Sequence, residues 1–79
     1  MKAKEMFEKL GFTKLININN GTWYSKINDD GNTLSVRFNH NEKTIQCTFS
    51  TDNESMGLPI TFELYKAITQ QMKELGWIE

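Results

Sequence analysis

The chain predicts an α+β domain, a four-stranded antiparallel meander with its N-terminal and C-terminal helices packed on one face. Three observations lead there. Asn20-Gly21 and Asp30-Gly31 stand about one strand length apart, and both dipeptides tolerate the positive φ of tight hairpins. Between Thr22 and Ser50, apolar and polar residues alternate as they do in a sheet covered on one side. Amphipathic segments flank this stretch at both ends of the chain, and each stops at a glycine followed by an aromatic residue.

Lys2 to Leu10 reads as the first helix, because Ala3, Met6, Phe7 and Leu10 recur at three- and four-residue steps. Gly11 is the expected left-handed residue after it. Phe12 then meets Phe7 across a Schellman ending.

The strands follow from three turns. A two-residue turn at Asp30-Gly31 sets Asp29 opposite Asn32 and continues as Ile27–Leu34, Ser25–Val36 and Trp23–Phe38. Asn20-Gly21 gives Ile18–Trp23 and Ile16–Ser25, and a turn at Asn41-Glu42 gives Phe38–Ile45, Val36–Cys47 and Leu34–Phe49. The inner rows are then Ile18–Trp23–Phe38–Ile45, Ile16–Ser25–Val36–Cys47 and Ile27–Leu34–Phe49. Ser25 and Cys47 leave a shallow trough in the middle row for helix side chains. The outer rows are Asn17–Tyr24–Arg37–Gln46 and Leu15–Lys26–Ser35–Thr48. A slip of one residue at any turn reverses the faces of a whole strand.

Thr51 to Ile60 reads as a loop punctuated by Gly57 and Pro59. Thr61 is the expected N-cap of the last helix, Glu63 suits the dipole of its first turn, and Ile60 with Tyr65 makes a hydrophobic staple. Leu64, Ile68, Met72 and Leu75 form the apolar stripe. Gly76 and Trp77, with Met72, repeat the ending of the first helix.

Composition sets outer bounds. The 79 residues predict a single domain spanning 1–79. One cysteine excludes an internal disulfide, and with one histidine it cannot assemble a structural zinc site. A net charge of −1 argues against a general polyanion binder. No leader and no apolar run of bilayer length is apparent, so the expectation is a cytoplasmic protein, away from the membrane.

Reactive constellations are scarce. Cys47 and His40 are the only nucleophile–base pair on offer, and they are expected on an inner face and in a turn, out of each other's reach. Asp29 and Asp30 suit a hairpin tip by turn geometry, and a wet tip does not shift a carboxyl for acid–base work. Phosphate loops, metal-ligand spacings and nucleophile elbows are missing. The expectation is a protein that is not an enzyme and takes no cofactor or metal. The exposed sheet face is the better candidate. Tyr24 beside Arg37, flanked by Lys26, Asn17, Asn39 and Gln46, is expected to bind a partner, since an aromatic next to an arginine is hot-spot chemistry. The competing structural reading is a cross-strand pair that merely covers backbone.

The two ends of the chain carry a resemblance. The opening Lys4-Glu5-Met6-Phe7-Glu8-Lys9-Leu10-Gly11-Phe12 and the closing Ile60-Thr61-Phe62-Glu63-Leu64, with Ile68, Gln71 and Lys73-Glu74-Leu75-Gly76-Trp77, resemble a group of small uncharacterised proteins. Phages and prophages of low-GC Gram-positive bacteria encode them. The likeness covers about a third of the chain and implies an accessory protein, an adaptor or inhibitor of host or phage machinery, with no catalytic residue to transfer.

The leading expectation is therefore a non-catalytic module that binds a protein partner. Nucleic acid is the alternative, since helix–sheet–helix is also the layout of double-stranded RNA-binding domains. Charge does not support it: Phe62-Glu63 stands where those domains start their second helix with basic residues. A third reading is a homo-oligomeric piece, a monomer or weak homodimer pairing through strand one (Thr13 to Asn19) or strand four (Thr44 to Ser50), both expected as edges.

Overall fold

The computed structural model describes residues 1–15 and 21–79. Helix α1 spans Ala3–Lys9, and strands β1 to β5 span Thr13–Leu15, Gly21–Ile27, Thr33–Asn39, Thr44–Ser50 and Ser55–Gly57. Helix α2 spans Phe62–Glu74. The strands form one antiparallel sheet in the order β1-β2-β3-β4-β5. Phe7 of α1 and Leu64, Ala67 and Ile68 of α2 share one buried cluster with Tyr24, Val36 and Phe38 of the sheet, so both helices lie on the same face. The α+β architecture is as the sequence predicts, with five strands in place of four.

Both helix endings have the expected chemistry. The Phe12 amide donates to the Phe7 carbonyl at 3.0 Å, and the two rings meet edge-on at 5.8 Å. The Trp77 amide donates to the Met72 carbonyl at 2.9 Å, and Trp77 packs on Phe38 at 6.1 Å. At the start of α2 the Thr61 hydroxyl accepts from the Leu64 amide at 3.1 Å. Ile60 and Tyr65, the expected staple, both remain more than half exposed, and the Tyr65 ring lies against Phe62.

The fifth strand arises where the sequence reads as loop. The Thr51 hydroxyl accepts from the amides of Asn53 and Glu54, and the Thr51 amide donates to the Glu54 carbonyl. These bonds close a tight reversal, after which Ser55–Gly57 pairs back on Ser50, Phe49 and Thr48. The expected open edge of strand four is thus occupied over those three residues.

Two registers are corrected, and the first carries the face of a whole strand. The β3–β4 pairing Phe38–Ile45, Val36–Cys47 and Leu34–Phe49 is as expected. Between β2 and β3, however, Trp23 lies opposite Arg37, Tyr24 opposite Val36 and Lys26 opposite Leu34, one residue away from the expected ladder. The cause is the length of the hairpin loop. Asn28 pairs with Asn32 through a 2.9 Å backbone bond, and the Gly31 amide donates to the Asn28 carbonyl at 2.9 Å. Asp29, Asp30 and Gly31 therefore make a three-residue loop, with Gly31 supplying a φ of +83° after a type I turn. The Asn28 side-chain oxygen locks it by accepting from the amides of Asp30 and Asn32. A three-residue loop in place of two turns Thr22, Tyr24 and Lys26 inward and Trp23, Ser25 and Ile27 outward. The expected inward row of Trp23, Ser25 and Ile27 is overturned.

At β1, Leu15 pairs with Trp23 and Lys14 with Tyr24, a shift of three residues from the expected Leu15–Lys26 pairing. The parity of both changes together keeps Leu15 on the outer face. The expected positions of Ile16, Asn17, Ile18 and Asn19 lie outside the described residues. The middle inner row is Lys14–Tyr24–Val36–Cys47, so the expected trough is filled by a tyrosine ring.

Candidate functional site

The outer face of the sheet is the one left without a helix. Its centre is a cross-strand pair, Trp23 on β2 opposite Arg37 on β3. The guanidinium carbon sits 3.9 Å from the centroid of the indole, a cation–π stack. Arg37 is also opposite Gln46 on β4. Beside the stack lies an open concavity of about 490 Å³, lined by Trp23, Arg37, Asn39, Glu42, Thr44 and Gln46 among others. Asn39 helps to build its rim, since its side-chain oxygen accepts from the amides of Asn41 and Glu42 and folds the β3–β4 turn.

The predicted site is half retained. Arg37, Asn39 and Gln46 face outward and meet around this concavity. Tyr24 and Lys26 are corrections. Tyr24 is fully buried, its ring stacked on Phe7 at 3.8 Å and its hydroxyl donating to Gln71 Oε1 at 2.5 Å. Burial, followed by the nearby carboxylates of Glu74 and Glu8, pushes its pKa up to about 12. Lys26 points to the helix side, where Nζ donates to the Leu10 carbonyl at 3.0 Å and caps the C-terminal end of α1. The sixth candidate, Asn17, lies outside the described residues.

The aromatic partner of Arg37 is the neighbour of the residue the sequence suggests. A cue was present: asparagine at the first and glycine at the fourth position of Asn28-Asp29-Asp30-Gly31 is the pattern of a type I turn. With that turn, Trp23 and not Tyr24 stands opposite Arg37.

Other groups have structural settings. Cys47 is half-buried on the inner face, and burial raises its thiol pKa. His40 Nε2 lies 2.8 Å from the hydroxyl of buried Thr22. No cluster of metal-ligating side chains occurs among the described residues, and none of their helices is long and apolar enough to cross a membrane.

A second surface escaped the sequence reading. Phe62 and Tyr65, 68% and 56% exposed, stack at 6.5 Å on the first turns of α2, and Lys66 lies over Phe62. Between the helices, a largely apolar recess of about 320 Å³ is lined by Met1, Met6, Lys9, Leu10, Glu63 and Lys66. Against known proteins, no family model, no curated protein and no solved structure matches the chain.

Proposed function

We propose that the protein is a non-catalytic interaction module that binds a protein partner through its outer sheet face, in the manner of a small phage or prophage accessory protein. The observation that carries this reading is the Trp23–Arg37 stack at the lip of an open concavity on the uncovered face. Tryptophan and arginine are among the residue types enriched at the hot spots of protein interfaces. A stacked pair is already ordered, so docking costs little further side-chain entropy. The likeness of both chain ends to small phage proteins supports the accessory role. A nucleic-acid partner is less well supported, because tracking phosphates takes a row of cations.

The test is affinity capture from host cells with Trp23→Ala and Arg37→Ala, after both variants are verified as folded. The expected result is loss of one specific bound species in both. Capture unchanged in both rejects the outer face. Capture lost with Phe62→Ala instead moves the docking site to the exposed aromatic pair of α2.

A further inference from the structure

The charge pattern of the outer face narrows what can sit on it. Among the described residues, the outward positions of all five strands carry one charged side chain, Arg37, on the middle strand of the sheet. Its outward neighbours are hydroxyl, amide, glycine or apolar residues. No described carboxylate lies within ion-pair distance of its guanidinium; the two ion pairs among the described residues are Lys4–Glu8 and Lys66–Glu63. The acid nearest the concavity, Glu42, is oriented toward the Asn39 amide at 3.5 Å. The indole of Trp23 covers one face of the guanidinium, and Arg37 Nε is shut away from water with no acceptor. With Nε enclosed, a planar cation held flat in this way directs its terminal N–H donors along its edge, a geometry suited to bidentate carboxylate recognition.

We infer that the Trp23–Arg37 stack is a receptor for a single side-chain carboxylate, an aspartate or glutamate set among neutral polar residues on the partner protein. The inference rests on the outer face being the docking surface and names the chemistry recognised there. One cation matches one carboxylate. A run of acids or a phosphate backbone brings many charges to a face that answers one, and Glu42 at the rim opposes the next. The Gln46 amide on the same concavity suits a neutral peptide group beside the acid.

The test uses the whole protein, isotope-labelled, and a blocked five-residue peptide with one central glutamate between serines and threonines. Arginine Nε–H and indole N–H signals are followed by NMR. The expected result is saturable movement of the Arg37 and Trp23 signals, with binding about tenfold weaker for the glutamine analogue and lost with Arg37→Gln. Equal response to the two peptides, no response to either, or a stronger response to oligothymidylate or pentaglutamate overturns the inference. These peptide comparisons use the unaltered protein, so they do not depend on a variant folding. Failure of the wider reading looks different, since partner capture is then unchanged by both Trp23→Ala and Arg37→Gln. If Trp23→Ala abolishes partner capture and Arg37→Gln does not, the face stands and carboxylate recognition falls.

Discussion

At Tyr24 and Trp23, adjacent residues of one strand have opposite duties. Tyr24 is sealed between Phe7, Phe38 and Gln71, whereas Trp23 lies half-buried on the outer face. Tyr24→Ala is expected to cost about 3–5 kcal/mol, enough to unfold a chain this small. Trp23→Ala is expected to cost about 1 kcal/mol or less. Urea unfolding of the two variants checks the register directly, because the alternative ladder reverses their order. Tyr24→Phe should cost about 1–2 kcal/mol by leaving Gln71, 5% exposed, without its donor. The hydroxyl also has a pH consequence. Its pKa rises from 10.0 to about 12 on folding, so the folded state holds the proton more tightly than the unfolded chain. Stability from this source is complete below pH 10, falls as pH rises above it, and is gone above about 12. Unfolding midpoints measured across that window should decline in the parent protein and decline less in Tyr24→Phe.

Helix α1 has only seven residues and cannot hold itself together in isolation. Its ends are secured by other elements. At the C-terminal end, Lys26 of β2 reaches the Leu10 carbonyl, while Gly11 takes a φ of +92°. A Cβ at Gly11 would lie 3.1 Å from Lys26 Cε, so Gly11→Ala meets both backbone strain and the cap itself. The expected cost is about 1–2 kcal/mol. Gly57→Ala, with open space and no positive φ, should stay within about 0.5 kcal/mol. Thermal melts of the two variants make the comparison. At the N-terminal end, Glu74 of α2 accepts from the Ala3 amide at 2.7 Å, with Gln70 holding the same oxygen at 3.0 Å.

Across the whole molecule, that Glu74 strut joins the last helix to the first, and it is sensitive to acid. Burial by itself would raise the Glu74 carboxyl. Hydrogen bonds from Gln70 and the Ala3 amide, together with Lys2 and Lys14, outweigh it and hold the pKa below its ordinary 4.5. A depressed carboxyl contributes stability that is present above the ordinary value and is lost as pH falls through the lowered one. Amide exchange in α1 should therefore accelerate as pH falls below about 4.5 relative to the intrinsic rate, and Glu74→Gln should remove most of that pH dependence. The outer face sits on the other side of the sheet, so neither Glu74→Gln nor Gly11→Ala should alter partner binding while the fold persists.

Local signals in the chain determined the helices, their glycine endings, the Thr61 cap and the β3–β4 register, because each depends on residues within a few positions of one another. Arg37, Asn39 and Gln46 on the outer face followed from that register. The aromatic beside Arg37 did not, because Asp30-Gly31 is compatible with loops of two or three residues, and a period of two converts that one-residue difference into a reversed strand. The Asn28 turn bonds favour three, and tertiary packing agrees with them. A tyrosine that stacks on Phe7 and reaches Gln71 fills the space beneath two helices, and neither partner is near it in sequence. The loop cue could have placed Trp23 beside Arg37, but it took the assembled layers to stack Tyr24 on Phe7 and to set Lys26 on the end of α1.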